Sequence, residues 1–253
     1  MPSRKGTQGE TSKETKYTVY KDLAYVADAA PHQDLDIYIP DGEVPSGGWA
    51  IVVYAHGGGF VAGDKENTGQ ALRFPLMALD HGFAMASINY RLLGRGIEEV
   101  ALEIADVQAS LRFLAAHAVD FGINKDKIVL MGASAGGALV CAAATRAHKE
   151  GETPVLAVVS VASATGISKA AEDVDAFTPP FYIIHGTADS IVPVSQAESL
   201  AAALGAAGIP HVFEAVEGGE HTRPIDHPNT MTLLEEQGKL DEPYQWLKGL
   251  LAH

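Results

Sequence analysis

The chain has 253 residues, 47% apolar and 20% charged, and a formal net charge of −14 at pH 7. That balance belongs to a chain able to bury a core rather than a disordered one, and its negative sign argues against nucleic acid or an anionic membrane as the main partner. The one cysteine, Cys141, excludes an internal disulfide and a multi-cysteine metal site, and no apolar run approaches the ~18 residues of a membrane span.

The first 16 residues, MPSRKGTQGETSKETK, are polar and carry no secretory-signal pattern. They read as a frayed arm, with order beginning near Tyr17 and a cytoplasmic location expected. Residues 17–253 read as one domain. Tyr17 to Val26 and Leu35 to Ile39 have strand composition, and Pro40-Asp41-Gly42 and Pro45-Ser46-Gly47-Gly48 have turn chemistry. Short apolar runs follow at Ile51 to Ala55, Phe83 to Ile88, Lys127 to Met131, Val155 to Val161, Phe181 to Ile184 and Val212 to Val216. Such runs suit strands buried on both faces of a parallel sheet. Between them, Val100, Ile104, Val107, Leu111 and Leu114 share one helical face. Helices are also expected over Ala135 to Ala147, Ser195 to Ala206 and about Asn229 to Leu251. The alternation predicts an α/β fold with a doubly wound, mostly parallel sheet.

Two glycine motifs follow strands. Gly132-Ala133-Ser134-Ala135-Gly136 stands between a strand and a helix. That is the setting in which a sharp turn lifts a serine hydroxyl clear of a sheet and a helix N-terminus presents the Ala135 N–H to a developing oxyanion. His56-Gly57-Gly58-Gly59-Phe60 follows Ile51 to Ala55. Three consecutive glycines are entropically costly, and they make sense where backbone N–H groups approach a ligand closely. No Lys-Ser/Thr follows in phosphate-loop spacing, and His56 reads as a brace for the loop.

With Ser134 as nucleophile, the acid and then the base are expected downstream. Asp189 follows the strand Phe181 to Ile184, and His221 follows Val212 to Val216; both loops leave strand C-terminal ends and reach the rim that carries Ser134. Asp189 is the expected acid and His221 the expected general base. Asp173 and Asp175 precede their strand, His211 opens its strand, and His227 is a nearby rival to His221. His185, Asp106 and Cys141 read as structural.

HGGGF, Ser87-Ile88-Asn89-Tyr90-Arg91-Leu92, GASAGG, HGTADSIVP and EGGEH stand in one order from Ala55 to His221. Together they resemble the α/β-hydrolase superfamily and its HGGG esterase/lipase group. Leu35 to Tyr38 and Gly63 to Lys65 make the chain similar to the compact bacterial branch that includes feruloyl and acetylxylan esterases. The resemblance implies ester hydrolysis through an acyl-enzyme on Ser134. Asp189 and His221 would complete the triad, and the N–H groups of Gly58, Gly59 and Ala135 would form the oxyanion hole. Only Ala162 to Pro180 separates two strands where relatives insert a lid, so no sizeable lid and an open, shallow site are expected, suited to short-acyl or sugar-borne esters. Phe60, Val61, Asp64, Tyr90 and Phe177 are candidate pocket walls. No cofactor and no metal are implied, since the histidines lack ligand spacing. The partner is a small-molecule ester. Oligomeric state is open, with residues 211 to 216 or the last helix as candidate contacts. Amide hydrolysis, as by an aryl formamidase, and a silent receptor of the same fold remain alternatives; a peptidase of the prolyl-oligopeptidase type would need a further domain.

Overall fold

The apolar runs after residue 50 lie in adjacent strands of one sheet. The computed structural model describes residues 6–66, 70–93, 100–221 and 228–252. Among them the strands are β1 (Thr7–Glu10), β2 (Lys16–Ala24), β3 (Asp34–Pro40), β4 (Trp49–Ala55), β5 (Ala84–Ile88), β6 (Ile123–Ala133), β7 (Ala157–Val161), β8 (Phe181–Gly186) and β9 (His211–Val216). The helices are α1 (Gln70–Asp80), α2 (Ala101–Ala116), α3 (Ala118–Phe121), α4 (Ser134–Glu150), α5 (Thr165–Ser168), α6 (Ser195–Ala206), α7 (Thr230–Glu236) and α8 (Glu242–Leu251).

The sheet order is β1-β2-β3-β5-β4-β6-β7-β8-β9. Pairing is antiparallel from β1 to β5 and parallel from β5 to β9. After β4 the chain steps to one side for β5, then returns to the other side of β4 for β6. That reversal opens a crevice beyond the C-terminal ends of β4 and β6, the place where doubly wound sheets bind ligands.

Both faces of the sheet are covered. Ile51, Val53 and Ala55 of β4 join the core layer that contains the buried residues of α2, α4 and α6. Val52 and Tyr54 point to the opposite layer, with Leu72, Phe74, Leu79, Leu234, Tyr244 and Leu247 from α1, α7 and α8. This two-sided burial is why β4 reads as a continuous apolar run and not as an alternating one. Helix α4 packs closely because it is rich in small residues. A Cβ on Gly136 would stand 2.2 Å from the Ala55 carbonyl oxygen, and one on Gly137 1.9 Å from Ser163 Oγ.

Three elements differ from expectation. The polar arm is not frayed throughout, because Thr7–Glu10 pairs antiparallel with β2 from Thr7↔Val19 to Glu10↔Lys16. Helix α1 was not expected; Pro75 lies inside it and removes one backbone donor. The expected helix from Asn229 to Leu251 is two helices. Asn229 caps the first by accepting the Thr232 N–H, Gly238 leaves it at φ +70°, and Pro243 opens the second. Among the described residues no helix is long and apolar enough to cross a membrane.

Candidate active site

Ser134 occupies a sharp turn at the crevice. Ala133 is extended, at φ −122° and ψ 141°, and Ser134 switches to φ +54° before α4 begins. A serine in the left-handed region costs about 1–3 kcal/mol and persists only where its surroundings hold it. The neighbours are glycines because a Cβ on Gly132 would stand 2.6 Å from the Gly136 carbonyl oxygen. The Ser134 carbonyl also accepts the Ala164 N–H at 3.2 Å, which ties the turn to the chain after β7.

The loops after β8 and β9 bring Asp189 and His221 to the same rim. His221 Nε2 lies 2.9 Å from Ser134 Oγ, and His221 Nδ1 lies 2.7 Å from Asp189 Oδ2. Both Asp189 and His221 are buried. An ionised carboxylate only accepts, so Nδ1 carries the proton and Nε2 presents its lone pair to the Ser134 hydroxyl. Asp189 Oδ1 accepts the N–H groups of Ile191 at 3.0 Å and Val192 at 2.8 Å. Burial alone would raise the Asp189 pKa. Hydrogen bonds from His185, His221 and the Val192 N–H outweigh it and hold the carboxyl well below the usual range. His185 has its role in this bracing: its Nε2–H donates to the Val192 carbonyl at 2.9 Å and lies 3.4 Å from Asp189 Oδ2.

The glycine loop after β4 lies against the same turn. A Cβ on Gly57 would touch Ala133 O at 3.2 Å and Ser134 Cβ at 3.3 Å. Gly58, at φ +134°, and Gly59, at φ +62°, adopt backbone that favours glycine. The Ala135 N–H belongs to the first turn of α4, where helical donors have no partner in their own helix. His56 braces the loop as expected: its Nδ1–H donates to the Gly57 carbonyl at 2.8 Å. Burial pushes its pKa down and keeps the ring neutral.

Four of the five expected pocket walls are elsewhere. Tyr90 is fully buried beneath the loop, donates its hydroxyl to the His56 carbonyl at 2.7 Å and stacks on the His56 ring. Phe60 is buried in the core, where its carbonyl accepts the Leu93 N–H. Phe177 is exposed and stacks on the His148 ring at 3.7 Å, outside the cleft. Asp64 also lies off the cleft; its Oδ2 accepts from Asn89. Val61 does line it. Cys141 is wholly buried, its thiol pushed up to about 12 by desolvation. Asp106 is buried and takes a two-pronged pair from Arg91. Of the rival bases, His211 sits at the start of β9 against the Ile209 carbonyl, and His227 lies outside the described residues.

The cleft holds about 490 Å³ and runs from Ser134 and His221 into the layer between the sheet and α1 and α7. Its apolar walls include Tyr54, Phe74, Met131, Val161 and Met231, so the site is deeper than the shallow one expected. Sequence reasoning missed Phe74 and Met231. The spacing of Leu72, Leu76 and Leu79 is the helical signal that would have placed α1.

The BD-FAE family profile matches residues 35–167, more than half the chain, and that of the prolyl oligopeptidase family matches residues 161–237. Esterase LipI of Mycobacterium tuberculosis is 33% identical over 106 residues, which cover 42% of this chain and 32% of that protein. The chain therefore spans well under two thirds of that relative's length. A truncated carbohydrate esterase from gut microbiota superposes with a TM-score of 0.78 at 20% identity, covering 97% of this chain and 100% of the other. An alpha/beta hydrolase enzyme from a Medee basin deep-sea metagenome library gives a TM-score of 0.72 at 21% identity, with 94% and 99% covered. The chain has the α/β-hydrolase fold.

Proposed function

The chain belongs to the BD-FAE family, and from that premise we propose that it is a serine carboxylic-ester hydrolase acting on short-acyl or sugar-borne esters. The observation that carries the reading is the unbroken hydrogen-bonded line Ser134–His221–Asp189 beside the glycine loop. In this reading His221 Nε2 takes the Ser134 proton as Oγ attacks the ester carbonyl. The carbonyl oxygen gathers charge and the N–H groups of Gly58, Gly59 and Ala135 receive it, each donor being worth ~10²–10³ in rate. The imidazolium is stabilised by Asp189, and its proton passes to the leaving alcohol. Water then repeats the sequence on the acyl-enzyme.

The substrate range has two supports. The link between β7 and β8 holds only α5 and the short 3-10 turn Ala170–Asp173, so no cap domain stands over the cleft there. A protein of the same fold carries the name carbohydrate esterase. Amide hydrolysis by the same three residues is a second reading, favoured by the prolyl oligopeptidase match that spans Asp189 and His221.

Initial rates on p-nitrophenyl esters from acetate to palmitate, with Ser134→Ala in parallel, test the proposal. The expected result is a maximum at acetate to butyrate and a loss of ~10³-fold or more in the variant. Turnover that survives Ser134→Ala would sink the serine mechanism, and a maximum on palmitate would sink the short-acyl range. Cleavage of p-nitroanilides and not of esters would favour the amide reading.

A further inference from the structure

Two cavities share a wall made by Phe74 of α1 and Met231 of α7. One is the cleft of about 490 Å³ that contains Ser134. The other, of about 30 Å³, lies beyond the wall and is bounded also by Arg73, Met77, Glu235 and Leu240. We propose that Phe74 and Met231 are the length stop of the acyl pocket, so that the longest acyl group accepted is set by this partition. The proposal rests on the ester-hydrolase reading.

The direction of the pocket assigns it to the acyl group. Val61 and Ile191 line the cleft and are 53% and 57% exposed, so they mark its mouth. Phe74, Met131 and Val161 line it too and are buried in the layer under α1 and α7, so they mark its closed end. An alcohol must depart while the acyl group stays on Ser134, which suits an open path for the alcohol and a blind pocket for the acyl chain. The side chains at the blind end are apolar and uncharged, which favours alkyl carbon.

The partition is held from behind. The Phe74 carbonyl accepts the Tyr244 hydroxyl, and the Phe74 ring tilts against the Tyr244 ring at 5.4 Å. Arg73, the preceding residue, makes a two-pronged ion pair with Glu235. Glu235 lies four residues after Met231 and so on the same side of α7. An exposed ion pair therefore links the two helices that carry the stop.

The test is the ratio of kcat/KM on p-nitrophenyl octanoate to that on butyrate, in wild type, Met231→Ala and Phe74→Ala, with the melting temperature of each. Met231 is half-buried, so its truncation preserves folding even if loss of the buried Phe74 does not. Joining the cavities is expected to raise the ratio by ~10-fold or more, and Met231→Phe is expected to lower butyrate against acetate. Ratios within about twofold of wild type in folded Met231→Ala, with Met231→Phe also unchanged, would overturn the stop. If wild type hydrolyses no ester in a Ser134-dependent way, the esterase reading itself fails; if hydrolysis persists and the ratios stand still, only the stop fails.

Discussion

Glu220 accepts two hydrogen bonds from Ser190, from its N–H at 3.1 Å and its Oγ at 2.9 Å, so the residue before His221 holds the residue after Asp189. These bonds pull the Glu220 carboxyl below its usual range. Glu220 makes a positioning contact between the acid loop and the base loop and touches no reacting atom. Glu220→Ala is expected to lower kcat by about 10- to 100-fold with little change in KM, because small misplacements of a base are costly. Glu220→Gln, which keeps an acceptor, should recover part of the loss. Steady-state kinetics of the two variants check this; equal loss in both would point to charge and not to position.

Asp189 links stability to acid. Its folded pKa lies below the unfolded one, so between the two the unfolded chain binds more protons. Its contribution is complete above the ordinary value of about 3.9 and fades as pH falls toward the folded value. Asp189→Asn should therefore melt below wild type at pH 7, by a margin that stays constant down to about pH 5 and narrows only below about pH 4. Thermal melts across that range decide it. A margin that shrinks between pH 7 and pH 5 would show that another group dominates.

Lys65 carries a different kind of burden. Its ammonium is buried among Asp22 at 2.8 Å, Asp36 at 3.0 Å and Asp34 at 3.3 Å. Burial works against its charge, but the hydrogen bonds to Asp22 and Asp36 prevail and raise its pKa. Its backbone is fixed as well, by Asn89 Oδ1 on the N–H and the Ser87 hydroxyl on the carbonyl. Lys65→Met would leave the fully buried Asp36 without its counter-charge and should cost about 3–5 kcal/mol. Urea unfolding at pH 7 measures it. The raised pKa means this stability is complete at neutral pH and is lost only as pH climbs past about 10.4.

Much of this was legible because each strand–loop unit writes itself locally. Ile51 to Ala55 and Phe181 to Ile184 are apolar on every residue because both faces are covered, and each ends in the polar or glycine residues of a rim loop. Ser134, Asp189 and His221 could be ordered along the chain for the same reason. The pocket walls were not legible, because a wall is set by packing between distant elements. Phe60 ends the glycine loop in sequence, yet its ring is buried in the core, while Tyr90 follows β5 and braces that loop from beneath. Phe74 and Met231 are 157 positions apart and meet only when α1 and α7 cover one face of the sheet. Pro75 hid the first of those helices, since a proline inside a helical pattern reads as a break. Gly238 hid the division of the last one.

The parallel strands give the molecule a working end and an idle end. Ser134, its two triad partners and the glycine loop leave the C-terminal tips of β4, β6, β8 and β9. The opposite tips are joined by the exposed turn at residues 45–48, the turn after α1 at residues 81–83 and the turn after α6 at residues 207–210. A tether to a solid support or a peptide tag at residues 45–48 would therefore face away from the cleft, leaving its mouth turned outward to insoluble material.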